Sequence, residues 1–226
     1  IRGTKCWISS GDSDLGENVI HTVLARIKGA TEGTKGLSLF IVPHTRVNDD
    51  RSLGKWNDVS VASIENKMGI HSSPTAVLNF GENEDCHGWI LGSEGKGISA
   101  MFQMMNGARI GVGYQGIALS EVAYQNAAAY ARERTAGRAL GGEKYPEQSA
   151  DPIVVHPDVR RMLLHMRAFN EGSRALLLWL SHESTVGRFD GDDKRKQQVS
   201  DLFNLLTPVV KAHFTDVGCE CTNMAM

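Results

Sequence analysis

The sequence predicts an α+β protein in which an antiparallel β-barrel or sandwich is followed by an up-and-down bundle of helices. Two observations predict it. Short β-branched and aromatic runs fill the chain up to about residue 94, and apolar residues then recur at three- and four-residue spacing. No helical pattern separates the early runs, which argues against a doubly wound parallel sheet. We therefore expect two domains, residues 1–94 and residues 95–226.

Five runs of the first domain are predicted strands. They lie at residues 5–9, 19–26, 37–42, 59–62 and 76–80. Segments rich in Gly, Asp and Ser separate them, as at residues 11–14, 33–36 and 49–52, and such residues mark turns. Short strands with frequent turns are typical of antiparallel sheets.

Three long helices are predicted in the second domain. The first runs from Ile98 to near Arg134, the second begins at Pro157, and the third begins near Asp193. A proline in the first turn costs little because its missing N–H has no partner there. Pro208, inside the third helix, predicts a kink.

The composition limits the classes of function that this chain can have. The 226 residues are 41% hydrophobic and 22% charged, with a net charge of −2, as in a globular protein near neutrality. This balance argues against a nucleic-acid partner. The apolar run Ala175–Leu180 is far shorter than the ~20 residues of a membrane span. Four cysteines are too few for a disulfide framework, so we expect reduced thiols and a cytoplasmic location.

Two pattern matches carry no predicted chemistry. Gly111–Gly116 fits G-x-G-x-x-G, but the dinucleotide fingerprint needs a strand before it, whereas these glycines fall inside a predicted helix. Close approach of two helices explains them better. Cys219 and Cys221, with His213 nearby, lack a second cluster of ligands, so no metal site is predicted.

The segment Lys5–Gly11 reads K-C-W-I-S-S-G and resembles the K-x-W-I-[ST]-[NS]-G segment of the acyl-CoA dehydrogenases. These are flavoproteins that introduce the first α,β double bond in acyl-CoA oxidation. Four more segments resemble the family in the same order: residues 66–75, 92–97, 105–109 and 131–138. The amino acids in these segments are similar to those of a long-form branch of the family.

The resemblance implies FAD as cofactor. Trp7 would pack against the isoalloxazine ring and Ser9 would offer its hydroxyl near flavin N5, while Ser10 and Gly11 belong to the same cofactor-binding segment. Arg134 matches the arginine that the family aims at the FAD pyrophosphate of a neighbouring subunit. The alternative for Arg134 is a solvated residue at a helix end, where a cation is favoured by the helix dipole.

The resemblance also implies substrate contacts and one departure. Asn106 and Arg109 match helix positions that face the CoA moiety and the thioester; the alternative for Arg109 is an ion pair with Glu94 or Glu121. The family commonly has a phenylalanine shortly after the arginine matched by Arg134, and Ala136 and Gly137 occupy that stretch here. We therefore expect different contacts to the adenine.

No catalytic residue is assigned, because the family's general base is a glutamate in a later motif that this sequence does not contain. The chain begins at Ile1 and ends at Met226 within a predicted helix. We expect a fragment without the amino-terminal helical domain and the end of the carboxyl-terminal domain, inactive alone.

The implied partners are an acyl-CoA substrate, an electron acceptor for the reduced flavin, and a second copy in a homodimer or larger homo-oligomer. An acyl-CoA oxidase of the same fold and a non-catalytic scaffold protein are the alternatives that the sequence leaves open.

Overall fold

Eight strands form three antiparallel sheets in the first part of the chain. The computed structural model describes all residues 1–226, as two compact units, Ile1–Met104 and Met105–Met226. The strands are β1 (Gly3–Ser9), β2 (Ile20–Arg26), β3 (Leu37–Pro43), β4 (Thr45–Val47), β5 (Leu53–Trp56), β6 (Val59–Ile64), β7 (Thr75–Phe80) and β8 (Trp89–Leu91).

The sheets have the strand orders β1-β7-β6, β2-β3-β8 and β4-β5, and they do not close into a barrel. The five predicted strands are confirmed, with ends that differ by at most two residues. The strands β4, β5 and β8 were not predicted. Each has only three or four residues, too few to show a period of two.

The core of the first unit lies on one face of β7. Ala76, Leu78 and Phe80 are buried at every second position, as the pleat of a strand requires. They pack with buried Val23 and Val42 of the β2-β3 sheet. Alternation therefore buries one face of the strand that pairs with β1.

The three predicted helices are confirmed as α1 (Gly97–Glu133), α2 (Pro157–Phe189) and α3 (Asp193–Ala225). Pro157 opens α2, and the carboxylate of Asp192 caps α3 by accepting from the N–H of Lys194 at 2.9 Å. Residues on either side of Pro208 are helical, and the kink there stays a prediction. The division at residues 94 and 95 also stays a prediction.

The second unit has its own core, formed by one set of buried apolar side chains from all three helices: Ile117, Met166, Leu177, Leu180, Val210, Phe214 and Cys221. None of the helices is long and apolar enough to cross a membrane.

The glycines of the G-x-G-x-x-G match lie inside α1, as predicted. A Cβ on Gly116 would lie 2.4 Å from the carbonyl oxygen of Phe214, and one on Gly113 would lie 2.9 Å from Val210 Cγ1. These two glycines therefore permit close approach of α3. Gly111 does not, because a Cβ there would meet nothing within 4 Å, and close packing is the wrong explanation for that position.

Candidate functional site

A β-bulge in β1 turns Trp7 out of the sheet. Lys5 pairs with Leu78 and Ile8 with Ala76, so three steps along β1 match two along β7. The extra residue places Trp7 at φ 56°, a backbone conformation that is strained for residues other than glycine. It also leaves Trp7 76% exposed. An indole held outward on a strained backbone is a feature that functional sites maintain.

The backbone after the bulge is fixed to the sheet while its side chains stay exposed. Ser9 pairs with Thr75, and the N–H of Ser10 donates to the carbonyl of Pro74 at 2.8 Å. Ser10 also has a positive φ, of 52°. Trp7, Ser9 and Ser10 thus present an indole and two hydroxyls next to each other on an anchored strand end.

Gly11 differs from its three neighbours because it is buried. A Cβ there would lie 3.1 Å from Ala76 Cβ and 3.3 Å from Leu78 Cδ1. A larger residue would push this segment away from β7. Gly11 therefore fixes the path of the segment through packing, with no side chain of its own.

A second motif lies directly beside the first. The ammonium group of Lys67 donates to the carbonyls of Ile70, at 2.8 Å, and Ser73, which folds residues 66–75 into a closed loop. The hydrogen bond from Ser10 to Pro74 joins that loop to the Trp7–Gly11 segment. The structure thus brings together two motifs that are far apart in the sequence. The role of Lys67 was not predicted, although Lys67 lies in the 66–75 segment that resembles the family.

The glycines of the 92–97 motif allow α1 to start against the β2-β3-β8 sheet. The N–H of Gly95 donates to Ser38 Oγ at 2.9 Å, and a Cβ on Gly97 would lie 2.5 Å from the carbonyl carbon of Ser38. No side chain larger than hydrogen fits there. The motif is a packing device within the first unit.

Arg134 lies one residue beyond α1 in the second unit. Its N–H donates to Tyr130 at 2.8 Å and its carbonyl accepts from the N–H of Ile153 at 2.8 Å, so its backbone is held from both sides. Its side chain is exposed and forms no hydrogen bond or ion pair. Its near neighbour Arg138 donates to the carbonyls of Tyr145 and Gln148. The guanidinium group of Arg134 is therefore available to an anion, whereas that of Arg138 is already bound within the loop.

Asn106 and Arg109 lie three residues apart on α1, so they share one side of the helix. Asn106 Nδ2 donates to Asn204 Oδ1 of α3 at 3.2 Å. Glu121, one of the two acidic partners considered for Arg109, forms an ion pair with Arg174 at 3.0 Å. The contact between the two asparagines could not be predicted, because they are 98 positions apart in the sequence.

No group of three histidine, cysteine or acidic side chains lies close enough to hold a metal ion. His213 stands edge-on to the ring of Phe169, and Cys221 is buried in the helix core whereas Cys219 is exposed.

The fold defines the class of protein. The structure resembles that of Caenorhabditis elegans ACDH-11 in complex with C11-CoA, with a TM-score of 0.76 and 21% identity over 99% of this chain and 34% of that one. A probable acyl-CoA dehydrogenase from Mycobacterium abscessus gives a TM-score of 0.66 and 20% identity, over 99% of this chain and 49% of that one. The chain has the fold of acyl-CoA dehydrogenases.

Sequence comparison identifies the family. The 3-methylmercaptopropionyl-CoA dehydrogenase of Ruegeria pomeroyi is 40% identical over 230 residues, which are 100% of this chain and 37% of that protein. The chain belongs to the acyl-CoA dehydrogenase family, whose members are FAD-dependent flavoproteins. It spans little more than a third of the length of this relative. No family model matches the chain.

Proposed function

We propose that this chain supplies the flavin-facing strand and the pyrophosphate-binding arginine of an FAD-dependent acyl-CoA dehydrogenase, which converts an acyl-CoA thioester into its α,β-unsaturated product. The observation that supports it most is the bulge in β1. It holds the indole of Trp7 outward, at a cost in backbone strain, beside the closed loop of residues 66–75. FAD, when bound, accepts the hydride from the substrate's β carbon.

The exposed groups of β1 fit a flavin. The indole of Trp7 has a free face for stacking on the isoalloxazine ring. The Ser9 hydroxyl is exposed, and the backbone of Ser9 pairs with Thr75. The hydroxyl is therefore already positioned to donate to the region of flavin N5. Ser10 offers a second hydroxyl at the ring edge. Gly11 keeps the segment on the sheet.

Arg134 fits the pyrophosphate of FAD. A guanidinium group presents a planar fork of donors that matches phosphate oxygens, and it stays charged at every physiological pH. Its exposure, its lack of an internal partner and its fixed backbone support this role. In the proposed assembly it reaches the flavin of a neighbouring subunit.

Asn106 and Arg109 are the proposed contacts for acyl-CoA, because amide and guanidinium groups on one side of α1 can donate to carbonyl and phosphate oxygens. The α-proton of the thioester is removed by a carboxylate, and none of these 226 residues is assigned that role. An electron-transfer acceptor for the reduced flavin would be a further partner of the intact protein.

Association into at least a homodimer completes the proposal. Apolar side chains stay exposed on α1 and α2, among them Leu119, Val122, Leu178 and Trp179, each at least 44% exposed. Burying such residues against a second copy would stabilise the assembly. Sedimentation of the intact protein tests this, and an active monomer would contradict it.

The decisive experiment uses the intact protein that carries this chain. Its visible spectrum should show bound flavin, and acyl-CoA should bleach that absorbance without added oxidant. Trp7→Ala and Ser9→Ala should weaken flavin binding and slow the bleaching, respectively. Trp89→Ala, which removes another exposed tryptophan on β8, serves as the control. A protein that binds no flavin would refute the proposal.

The chain of residues 1–226 alone should bind FAD weakly and show no dehydrogenation. Loss of a general base alone costs about 10²–10⁴-fold in rate. FAD titration, followed by acyl-CoA and an electron acceptor, measures both properties. Tight stoichiometric flavin together with turnover would show that a base lies within these residues.

A further inference from the structure

The segment between α1 and α2 contains a short antiparallel ladder that begins at Arg134. The carbonyl of Arg134 accepts from the N–H of Ile153 at 2.8 Å. The N–H of Ala136 donates to the carbonyl of Asp151 at 3.0 Å, and the N–H of Asp151 donates to Gly137 at 2.9 Å. These bonds tie the residues that follow Arg134 to those that precede α2.

The side chain of Asp151 closes the rest of this loop. It is fully buried, at 0% exposure. Its Oδ2 accepts from the N–H of Ala139 at 2.8 Å, and its Oδ1 accepts from the N–H groups of Tyr145, at 2.8 Å, and Lys144, at 3.1 Å. The hydrogen bond from Ala139 lowers the pKa of the Asp151 carboxyl, in spite of its burial. One carboxylate therefore gathers three backbone donors from two turns of the loop.

Arg138 completes the charge balance of the buried carboxylate. Its Nη1 lies 3.5 Å from Asp151 Oδ1 and also donates to the carbonyl of Tyr145, and its Nη2 donates to the carbonyl of Gln148. Arg138 is thus committed to the loop, whereas Arg134 has a fixed backbone and an unpaired guanidinium group.

We propose that Asp151 is a positioning residue for Arg134. By folding the α1–α2 segment, it holds the backbone of Arg134 so that the guanidinium group meets the pyrophosphate of FAD without first having to order the loop. This inference rests on the proposed function, because it takes FAD as the anion that Arg134 binds. A preordered loop improves affinity by removing the entropy cost of ordering it on binding.

A double-mutant cycle on the intact protein tests the inference. Apoprotein is titrated with FAD, and with FMN, which lacks the pyrophosphate, as the matched probe. Arg134→Gln should weaken FAD binding about 30-fold, as expected when one member of a close charge pair is truncated. Asp151→Asn should weaken it about fivefold, by restoring loop disorder to the free state.

The coupling between the two changes separates positioning from general stability. Once Arg134 is Gln, Asp151→Asn should cost no further FAD affinity, and neither change should alter FMN binding. An equal loss from Asp151→Asn in both backgrounds, or no loss in either, overturns the positioning role. If Arg134→Gln leaves FAD affinity unchanged, it is the assignment of Arg134 in the proposed function that fails, and this inference falls with it.

Arg138→Gln provides the test if Asp151→Asn does not fold. It leaves the carboxylate and its three amide donors in place and removes the cation beside them, together with the hydrogen bonds from Arg138 to the carbonyls of Tyr145 and Gln148. A loss of about twofold in FAD affinity is expected from this partial loosening, again only while Arg134 is present. The same loss in the Arg134→Gln background, or no loss in either background, would overturn the inference.

Discussion

The carbonyl oxygen of Gly116 lies 2.7 Å from the point that a Cβ atom on Gly218 would occupy. Here α1 and α3 meet backbone to backbone, so an added methyl group would require the backbone of one helix to shift. Gly218→Ala should therefore lower the free energy of unfolding by about 1–3 kcal/mol, the usual cost of overpacking. Urea unfolding followed by circular dichroism measures it.

Gly111→Ala is the control for that change. It lies in α1 as well, but its added Cβ would meet nothing within 4 Å. Alanine has the higher helix propensity, so stability should rise by up to about 1 kcal/mol. Equal effects of the two substitutions would contradict the close contact between the helices.

Trp7→Gly should separate stability from flavin binding. Glycine adopts the φ of 56° at Trp7 without strain, and the exposed indole contributes little burial. We expect the free energy of unfolding to stay the same or to rise by up to about 1 kcal/mol, while flavin affinity falls. Thermal unfolding and FAD titration measure the two effects. Trp56→Gly, in β5 and without a positive φ, should destabilise instead; a comparable loss of stability at Trp7 would contradict the strain.

Ser120→Ala should show how much a buried hydrogen bond contributes to the free energy of unfolding. Ser120 Oγ donates to Asn170 Oδ1 at 2.6 Å, between α1 and α2, and both residues are fully buried or nearly so. Loss of the donor leaves a buried acceptor unpaired, so stability should fall by about 1–3 kcal/mol in urea unfolding. Ser200→Ala, on the exposed side of α3, should stay within about 0.5 kcal/mol. If the two changes cost the same, the buried hydrogen bond is not stabilising.

Acid should lower the stability of the first unit, because Asp85 becomes protonated. Hydrogen bonds from the Arg46 and Lys55 side chains hold the pKa of this carboxyl well below its usual range. The unfolded state then takes up the proton at a higher pH than the folded state. The stabilisation is therefore complete above the unfolded pKa of about 4 and is lost as the pH falls towards the folded pKa.

Asp85→Asn tests this pH dependence. Urea midpoints measured from pH 7 down to pH 3 should fall less steeply in the variant than in the unaltered protein. Because Asp85 is partly exposed, salt should reduce the difference between the two. Parallel curves would show that Asp85 does not titrate with unfolding.

The sequence predicted the large elements because each repeats its period over many residues. The apolar positions of α2 recur at three- and four-residue spacing from Val159 to Leu180, and β7 alternates over its whole length. The bulge at Trp7 could not be predicted, because it depends on how β1 aligns with β7 some 70 positions away. Local sequence specifies the strand but not its register.

The site was predictable only where a motif marks it. Trp7, Ser9 and Arg134 stand in segments that resemble the family, whereas Asp151 stands in none. Its burial follows from donors 6 to 12 positions away that close on it only once the loop is folded. A single aspartate in a polar stretch has no periodicity that could reveal this.

The hydrogen bonds of Asp151 leave the tip of the α1–α2 loop outside them. Residues 140–143 are exposed, and the carboxylate is reached from Ala139 on one side of the tip and from Lys144 and Tyr145 on the other. The length of the tip is thus independent of the anchor. For protein engineering, this makes the tip a suitable point to insert a peptide tag or a fluorescent label, because the bonds that hold the loop at its base would remain intact.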